Sequence, residues 1–469
     1  MSCWATGIFG MVTVAKRQKG RHLVRWAIPA IISLLLLSAT GGFAGPQVTT
    51  RVEESVLENG LRVLLLEEHK APVVTVHVWY RVGARNEQPG ATGLSHFLEH
   101  MMFKGTSKLG PGQFSKTVQK NGGRDNAFTS DDYTGYFETF ASDRVELALE
   151  LEADRMRGLL LDPKEVESEK KVVMEERRLR TDDDPVSALQ EAMGAAAFQV
   201  HPYRQPVIGW MSDLQGLMRE DLVRHYNTYY VPNNAVLIVV GDFNSGELLL
   251  KIRHHFGGIP RGQEPPRVRA VEPVQRGERR LVLRKEAELP FVYMGYHVPD
   301  LKHPDNFALE VLAYILSGGK SARIYKSLVY EKQLALFAGG GYDRESIDPN
   351  LFYFYASVMP GKTAGEVEQA LTAEIERLKS EPVPDRELEK AKNQIEAGFL
   401  FGQDSIFNLA RQLAEYEIVA GWHVWEAYVP GVRAVKADDL RRVAKDYLSP
   451  DSRTVGVLIP TKAEKASQH

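Results

Sequence analysis

The chain has 469 residues, of which 43% are hydrophobic and 25% are charged, a composition typical of a folded globular protein with two or more domains. Its formal net charge of -3 provides no broad positive field, so nucleic acid is not expected as a partner. The single cysteine, Cys3, stands near the N-terminus, which excludes a disulfide framework, a thiolate metal site and a cysteine nucleophile from the rest of the chain.

The first 44 residues have the pattern of a secretory signal peptide. Basic residues between Lys16 and Arg25 precede an apolar run from Trp26 to Leu37, and small residues follow up to Ala44, where cleavage is expected. The apolar run is short for a membrane span, and a retained anchor is the alternative interpretation. We therefore expect the protein to be exported to the periplasm, or anchored in the inner membrane if the signal is retained.

Residues 51–262 predict a domain in which strands and helices alternate. The periodicity of apolar residues distinguishes the two kinds of element, and the turn at residues 67–72 predicts a hairpin or a pair of neighbouring strands. The predicted elements are strands at 61–66 and 73–80, a helix that carries residues 96–100, a strand at 128–140, a helix at 143–159 and a buried strand within residues 233–242.

Residues 281–462 repeat this order after a linker at residues 263–280, which is rich in proline, glycine, arginine and glutamate. The predicted elements are strands at 281–283 and 291–298, a helix at 307–316, a strand at 352–358, helices at 367–378 and 388–401, and a strand at 454–459. We therefore predict an α+β fold of two homologous domains related by duplication, each a mostly antiparallel sheet packed with helices.

The segment of residues 96–100, HFLEH, carries side chains that can bind zinc. At 100° per residue, His96, Glu99 and His100 share one face of a helix, and apolar side chains such as Leu98 lie on the opposite face. Two histidines one turn apart can bind one Zn²⁺ through their imidazoles. Glu99 is displaced along the helix axis, a position that suits a general base better than a third ligand.

A catalytic zinc site needs a third protein ligand, which we seek on a second helix. Asp162, Pro163 and Glu165 predict the start of that helix, as N-cap, first-turn proline and capping-box glutamate. Further along it, Glu169 and Glu176 alternate with valines on an inward stripe, where solvated glutamates are not expected. The alternative is an ordinary charged helix face in contact with solvent.

Five motifs together indicate a known family. They are residues 57–63 LENGLRV, 93–106 GLSHFLEHMMFKGT, 126–129 NAFT, 172–176 VVMEE and 230–234 YVPNN. In these motifs the chain resembles the pitrilysin/insulinase family of inverzincin metallopeptidases, in the short two-domain form of the mitochondrial processing peptidase catalytic subunit and its bacterial relatives. The resemblance makes residues 51–262 the zinc-binding catalytic domain and residues 281–462 an inactive homologous domain.

The resemblance also implies a role for each residue of the predicted site. His96, His100 and Glu176 are expected to bind one Zn²⁺ per active site. The expected catalytic residues are Glu99, as the base, and Glu169, which supports the site without being the main ligand. The expected activity is zinc-dependent endoproteolysis of unfolded peptides or small polypeptides by metal-activated water. A non-catalytic assembly subunit of the same fold is the alternative.

Two further expectations concern the peptide substrate and a protein partner. In the family, the strand that carries Asn126, Ala127 and Phe128 is an open edge to which an extended peptide adds as an extra strand. In its C-terminal half, this chain has Tyr330 and Leu336 where the family has an arginine and a tyrosine that contact the substrate. We therefore expect a heterodimer with a metal-free homologous subunit that retains those two residues, with a homodimer as the alternative.

Overall fold

The computed structural model of this protein describes residues 52–461. The predicted signal segment at residues 1–44, together with Cys3, lies outside the described residues. Within residues 52–461, no helix is both long enough and apolar enough to cross a membrane.

The first half of the chain forms a sheet of six strands in the order β1-β2-β6-β3-β5-β4. The strands are β1 Glu53–Val56, β2 Arg62–Glu67, β3 Val73–Tyr80, β4 Arg124–Thr129, β5 Thr134–Ala141 and β6 Ala235–Gly241. β2 pairs with β6 in parallel, and the other pairs are antiparallel. Every residue of β6 is buried, which explains its continuous apolar sequence.

The described part of the first half contains the helices α1 Leu94–Met101, α2 Gln113–Lys120, α3 Val145–Gly158, α4 Pro163–Arg177, α5 Pro185–Ala197, α6 Met211–Gly216, α7 Arg219–Tyr229 and α8 Ser245–Phe256. On one face, Val63 and Val76 of the sheet belong to the same apolar core as Phe97 of α1 and Leu149 of α3. This core anchors the helix on which the metal-binding motif lies.

The second half forms a sheet of five strands in the order β7-β11-β8-β10-β9. The strands are β7 Arg279–Glu286, β8 Phe291–Val298, β9 Ala335–Tyr342, β10 Asn350–Val358 and β11 Arg453–Thr461. The helices of this half are α9 Asn306–Ser317, α10 Ala364–Ser380, α11 Asp385–Gly402, α12 Ile406–Val419, α13 Tyr428–Ala434 and α14 Ala437–Tyr447. α12 packs on the first sheet, where Leu409 and Leu413 share a core cluster with Trp79 and Ile238.

The two sheets have the same strand order once β1 is set aside. In each half, the first strand pairs in parallel with the last, followed by the second, the fourth and the third. The third strand, β4 or β9, therefore forms one edge of its sheet. This common topology confirms the predicted α+β fold of two homologous, mostly antiparallel units packed with helices.

Two details of the predicted strands are wrong. β2 and β3 are not neighbours, because β6 lies between them, so the predicted hairpin does not form. The predicted strand at residues 128–140 is two strands, β4 and β5, because a turn interrupts it. In that turn the N–H of Ser130 donates to the carbonyl of Tyr133 at 2.8 Å.

Candidate metal centre

Helix α1 is not capped by its own N-cap residue. Its N-cap residue, Gly93, has a φ of +87° and no side chain. Instead, the buried carboxylate of Glu87 accepts hydrogen bonds from the N–H groups of Gly93 and Ser95, each at 2.6 Å. These bonds satisfy donors that a helix start leaves unpaired. Burial raises the pKa of Glu87 to about 8, although the same hydrogen bonds act to lower it.

Both faces of α1 are buried. The apolar face places Leu98 and Met101 in the core, as the helical spacing predicts. The opposite face carries His96 and Glu99, which are also buried, at 3% and 5% exposure. A charged or polar side chain is buried at a cost unless it is paired, so this face requires partners from other elements.

Helix α4 supplies those partners. It begins at Pro163, and the carboxylate of Asp162 caps it by accepting from the N–H groups of Lys164 and Glu165. Along its inward face Glu169 is buried, and Glu176 keeps 15% of its side chain exposed. The helix therefore presents two carboxylates to α1.

His96, His100 and Glu176 converge on one point. Their ligand atoms all lie within 4.8 Å of one another. Oε2 of Glu176 is 3.3 Å from Nε2 of His100 and 3.9 Å from Nε2 of His96. Ligand atoms about 2.0–2.2 Å from a tetrahedral zinc lie roughly 3.3–3.6 Å apart, and two imidazoles with one carboxylate form a known catalytic zinc ligand set. The 3.3 Å spacing between Glu176 and His100 falls in this range, and the 3.9 Å spacing between Glu176 and His96 is wider. The three side chains together have the donor chemistry of a catalytic zinc site.

A second carboxylate holds His100 from its other ring nitrogen. Oε1 of Glu169 is 2.9 Å from Nδ1 of His100, and Oε2 of Glu169 is 2.5 Å from Nζ of Lys104. This contact fixes the ring orientation and leaves Nε2 facing Glu176. Burial acts to raise the pKa of Glu169, but the hydrogen bonds to His100 and Lys104 outweigh burial and lower it.

The pKa values of the three clustered side chains reflect this arrangement. Burial, reinforced by the charge of His100, lowers the pKa of His96 to about 3. Burial also acts to lower the pKa of His100, but its hydrogen bonds to Glu169 and Glu176 raise it to about 9. Glu176 shows the opposite balance: burial acts to raise its pKa, and the two histidines lower it to about 2.

Glu99 lies beside the cluster and contacts the edge of the first sheet. Its Oε2 accepts a hydrogen bond from Oγ1 of Thr129 at 2.7 Å. Burial raises the pKa of Glu99 to about 7, against the lowering effect of this hydrogen bond. A carboxylate with a pKa near neutrality can both accept and return a proton.

Thr129 is the last residue of β4, which is an edge strand. The predicted substrate-binding residues Asn126, Ala127 and Phe128 all lie on this strand. Among the described residues β4 pairs only with β5, so its outer edge has no neighbouring strand. An edge of this kind can accept an extended peptide as an additional strand.

Tyr330 and Leu336 lie outside the metal cluster and on the surface. Tyr330, in the helical segment Tyr325–Glu331, is 74% exposed, and Leu336, on β9, is 45% exposed. Since β9 is the counterpart of β4 in the second sheet, these two residues belong to the edge region of the other half.

Sequence reasoning did not assign three contacts of this site. Thr129 stands in the NAFT motif, but the motif alone did not indicate that its hydroxyl reaches Glu99. Lys104 follows His100 by four residues, a spacing that brings side chains together at a helix end, and this spacing was the available indication of its role. No sequence pattern around Glu87 indicates that its carboxylate contacts the start of α1.

Comparison with known proteins follows the same division of the chain. Residues 62–210 match the family model described as insulinase (peptidase family M16), and residues 216–395 match the model described as peptidase M16 inactive domain. The zinc protease PqqE of Helicobacter pylori is 34% identical over 444 residues, covering 94% of this chain and 100% of that protein.

Solved structures also resemble this chain. The crystal structure of a protease from Helicobacter pylori matches with a TM-score of 0.85 and 35% identity, covering 88% of this chain and 100% of that chain. A peptidase M16 inactive domain from Pseudomonas fluorescens shares the fold, with a TM-score of 0.80 and 17% identity over 88% of this chain and 99% of that chain.

Proposed function

Because this chain belongs to the pitrilysin/insulinase family of peptidases, family M16, we propose that it is a zinc-dependent endopeptidase that hydrolyses unfolded peptides. One observation carries the proposal: three side chains with the donor chemistry of a catalytic zinc site converge within 4.8 Å, and Glu99 beside them is hydrogen-bonded to the last residue of an open edge strand. The site and the strand on which a peptide can lie are thus in direct contact.

His96, His100 and Glu176 would hold the metal. A bound Zn²⁺ supplies Lewis-acid chemistry, because it lowers the pKa of water and polarises a carbonyl oxygen. Glu169 keeps Nε2 of His100 turned towards Glu176, since it engages the opposite ring nitrogen. The ion pair of Glu176 Oε1 with Arg180, at 3.1 Å, leaves Oε2 for the metal.

Glu99 would move the proton. It takes a proton from the attacking water and returns it to the leaving amine of the cleaved peptide bond. The hydroxyl of Thr129 donates to one of its oxygens and so orients the carboxylate. Burial of this side chain keeps bulk water away from the proton that it carries.

The peptide would lie along the outer edge of β4, beside Asn126, Ala127 and Phe128. Main-chain hydrogen bonds supply much of the affinity in this mode of recognition, which accounts for binding with loose sequence preference. The peptide backbone would then pass Thr129 and reach Glu99 at the end of the strand. Unfolded substrates are favoured because only an extended segment can add to a sheet edge.

Glu99→Gln tests this mechanism. The variant keeps the three proposed ligands, so it should bind one zinc per chain but lose peptide cleavage, measured by metal analysis and by fluorogenic peptide hydrolysis. Glu175→Gln is the matched control, because Glu175 is an exposed neighbour of Glu176 whose carboxylate contacts only Arg178 in the described chain. Cleavage by E99Q at the wild-type rate would contradict the mechanism.

The alternative is a non-catalytic assembly subunit of the same fold. Against it, this chain keeps both histidines and Glu176 in one cluster, with Glu99 beside them. If wild-type protein binds zinc stoichiometrically yet cleaves no peptide, alone or with a partner, the assembly role is favoured.

We also propose that a second, metal-free homologous subunit completes the site. Tyr330 and Leu336 occupy the positions where the family places an arginine and a tyrosine, and both are exposed on the C-terminal half. Adding a homologous subunit that carries those two residues should increase cleavage. A stable homodimer with full activity, seen by native mass spectrometry, would favour the homodimer instead.

The N-terminal pattern supports a further proposal, that the protein is exported to the periplasm. Cell fractionation should then find the protein in the periplasm, without residues 1–44 if the signal is cleaved. Recovery with the inner membrane at full length would indicate a retained anchor.

A further inference from the structure

Arg177, the neighbour of Glu176, is buried and makes a branched set of hydrogen bonds. Its Nη1 donates to the carbonyl of Gly209 at 2.7 Å and to Oε2 of Glu191 at 2.8 Å, and its Nη2 donates to Oε1 of Glu191 at 2.9 Å. The guanidinium carbon also lies 5.7 Å from the centre of the Trp210 ring. The last residue of α4 is therefore attached both to α5 and to the loop that contains Gly209.

That loop crosses the start of α1 at backbone contact. Gly209 has a φ of +83°, and a Cβ placed there would lie 2.5 Å from the carbonyl oxygen of Thr92 and 2.6 Å from Cα of Gly93. A Cβ on Gly93 would in turn lie 2.7 Å from the carbonyl oxygen of Ile208. The N–H of Trp210 donates to Oγ1 of Thr92 at 2.9 Å. The two backbone segments touch with no room for a side chain at either glycine.

These contacts connect the two elements that carry the proposed metal ligands. Gly93 immediately precedes α1, and His96 lies three residues further on. Arg177 immediately follows Glu176 on α4. A continuous set of contacts thus runs from Glu176 through Arg177, Gly209 and Gly93 to His96, and the three residues between these two ligands lie outside the metal cluster.

We propose that Arg177 is a positioning residue, which sets the distance between Glu176 and the two histidines by tying the end of α4 to the start of α1 through the carbonyl of Gly209. This inference rests on the proposed metal centre. A metal site tolerates ligand displacements of only about 0.2 Å, so a tie between its two helices bears directly on affinity. Removing an outer contact that orients a metal site typically weakens metal binding about 10–100-fold.

The guanidinium is suited to this role in a way that an ammonium is not. Its planar fork can bind the Glu191 carboxylate with two nitrogens while one of them also reaches Gly209. A lysine at this position offers one compact charge on a flexible stem. It could reach the carboxylate or the carbonyl, without holding both in fixed geometry.

The test compares four variants with wild-type protein. R177K keeps the charge, R177M removes it, R177M/E191Q also removes the carboxylate charge that R177M would leave unpaired, and R178M is the control. Arg178 is the adjacent arginine, but it is exposed and pairs only with Glu175 in the described chain. Zinc dissociation constants by chelator competition, the visible absorption spectrum of the cobalt-substituted protein and the thermal midpoint are measured for each.

We expect zinc affinity to fall about 10–100-fold in R177M, and by less in R177K, with a changed cobalt spectrum in both. R177M/E191Q should recover thermal stability relative to R177M, because the partly buried Glu191 charge is gone and Asp182, the other carboxylate beside Arg177 at 3.2 Å, is 37% exposed. It should not recover zinc affinity, because Gly209 still lacks its donor. R178M should match wild type throughout.

Three results would overturn the inference: zinc affinity in R177K equal to that of wild type, recovery of zinc affinity together with stability in the double variant, or an unchanged cobalt spectrum in R177M. If R177M does not fold, R177K alone decides the question by the same criterion. Failure of wild-type protein to bind zinc would instead contradict the proposed function.

Discussion

Replacing Glu169 by glutamine removes the charge that faces His100 and Lys104. The carboxylate lies 2.9 Å from Nδ1 of His100 and 2.5 Å from Nζ of Lys104. Glutamine has the same size, and its amide oxygen can still accept one hydrogen bond, so we expect the protein to fold. Weakening an outer partner of a metal-binding histidine typically lowers metal affinity about 10–100-fold, which corresponds to about 1.4–2.7 kcal/mol.

The size of this effect should depend on pH. The pKa of His100 is raised to about 9, since its hydrogen bonds to Glu169 and Glu176 outweigh burial. Zinc binds the neutral imidazole, so below this pKa a proton competes and wild-type affinity falls by about tenfold per pH unit. Without the charge of Glu169 the pKa of His100 is lower, and the variant loses less affinity as pH falls. The loss of zinc affinity in E169Q relative to wild type should therefore be larger at pH 9 than at pH 7.

The assay is competition between apo-protein and a zinc chelator of known affinity at pH 7, 8 and 9. Glu167→Gln is the matched control, because Glu167 is on the same helix with its side chain 67% exposed, and its zinc affinity should equal that of wild type. The reasoning is refuted if E169Q and wild type bind zinc equally at pH 9, or if the deficit grows as the pH is lowered.

Two more tests concern the open edge of β4 and the buried Arg155 with its partners Glu138 and Glu152. A peptide substrate carrying N-methyl groups at single positions should be cleaved less efficiently at alternate positions near the scissile bond, because every second N–H of an added strand faces β4; uniform tolerance in kcat/KM would contradict strand addition. Arg155, which is fully buried, hydrogen-bonds Glu138 at 3.0 Å and Glu152 at 2.9 Å. Arg155→Met should lower the free energy of unfolding by about 3–5 kcal/mol in urea denaturation, since both carboxylates stay buried, and a loss under 1 kcal/mol would contradict that account.

Much of the fold could be predicted because its elements have local patterns. β3 matches the predicted bounds, and α9, α10 and α11 contain the predicted helices with a few residues added at the ends. The strand order could not be predicted, because parallel pairing of β2 with β6 joins segments about 170 residues apart and depends on packing of the whole half. β9 was not predicted, because its run of glycines at residues 339–341 lacks the side-chain alternation of a strand.

The candidate site could likewise be predicted only in part. The shared helix face of His96, Glu99 and His100 follows from spacing alone, and so does the inward stripe of α4. The distance between Glu176 and the histidines depends on how two helices meet, which no local pattern encodes. Glu87 and Gly209 illustrate the difficulty, because each reaches the start of α1 from a loop, Glu87 with its carboxylate and Gly209 with its backbone, and no local sequence pattern indicates either contact.

The topology shared by the two halves predicts how removal of the metal affects the fold. α9 lies between the second and third strands of its half, as α1 does, and it buries Ala308, Leu309 and Leu312 in the second core without a histidine in its sequence. In the second half, apolar packing alone therefore holds the helix in this place. In the first half, Phe97 and Leu98 anchor α1 in the core in the same way. We expect chelation of zinc to leave the circular dichroism spectrum unchanged.

Chelation should lower the free energy of unfolding only by the contribution of zinc binding, which is about 2.7 kcal/mol when free zinc is 100 times its dissociation constant. Differential scanning calorimetry with and without chelator measures it, as a lower midpoint of a transition that remains cooperative. Unfolding of the first half on chelation would show instead that its core cannot hold α1 in place, and that the metal has a structural role which the second half replaced with apolar side chains.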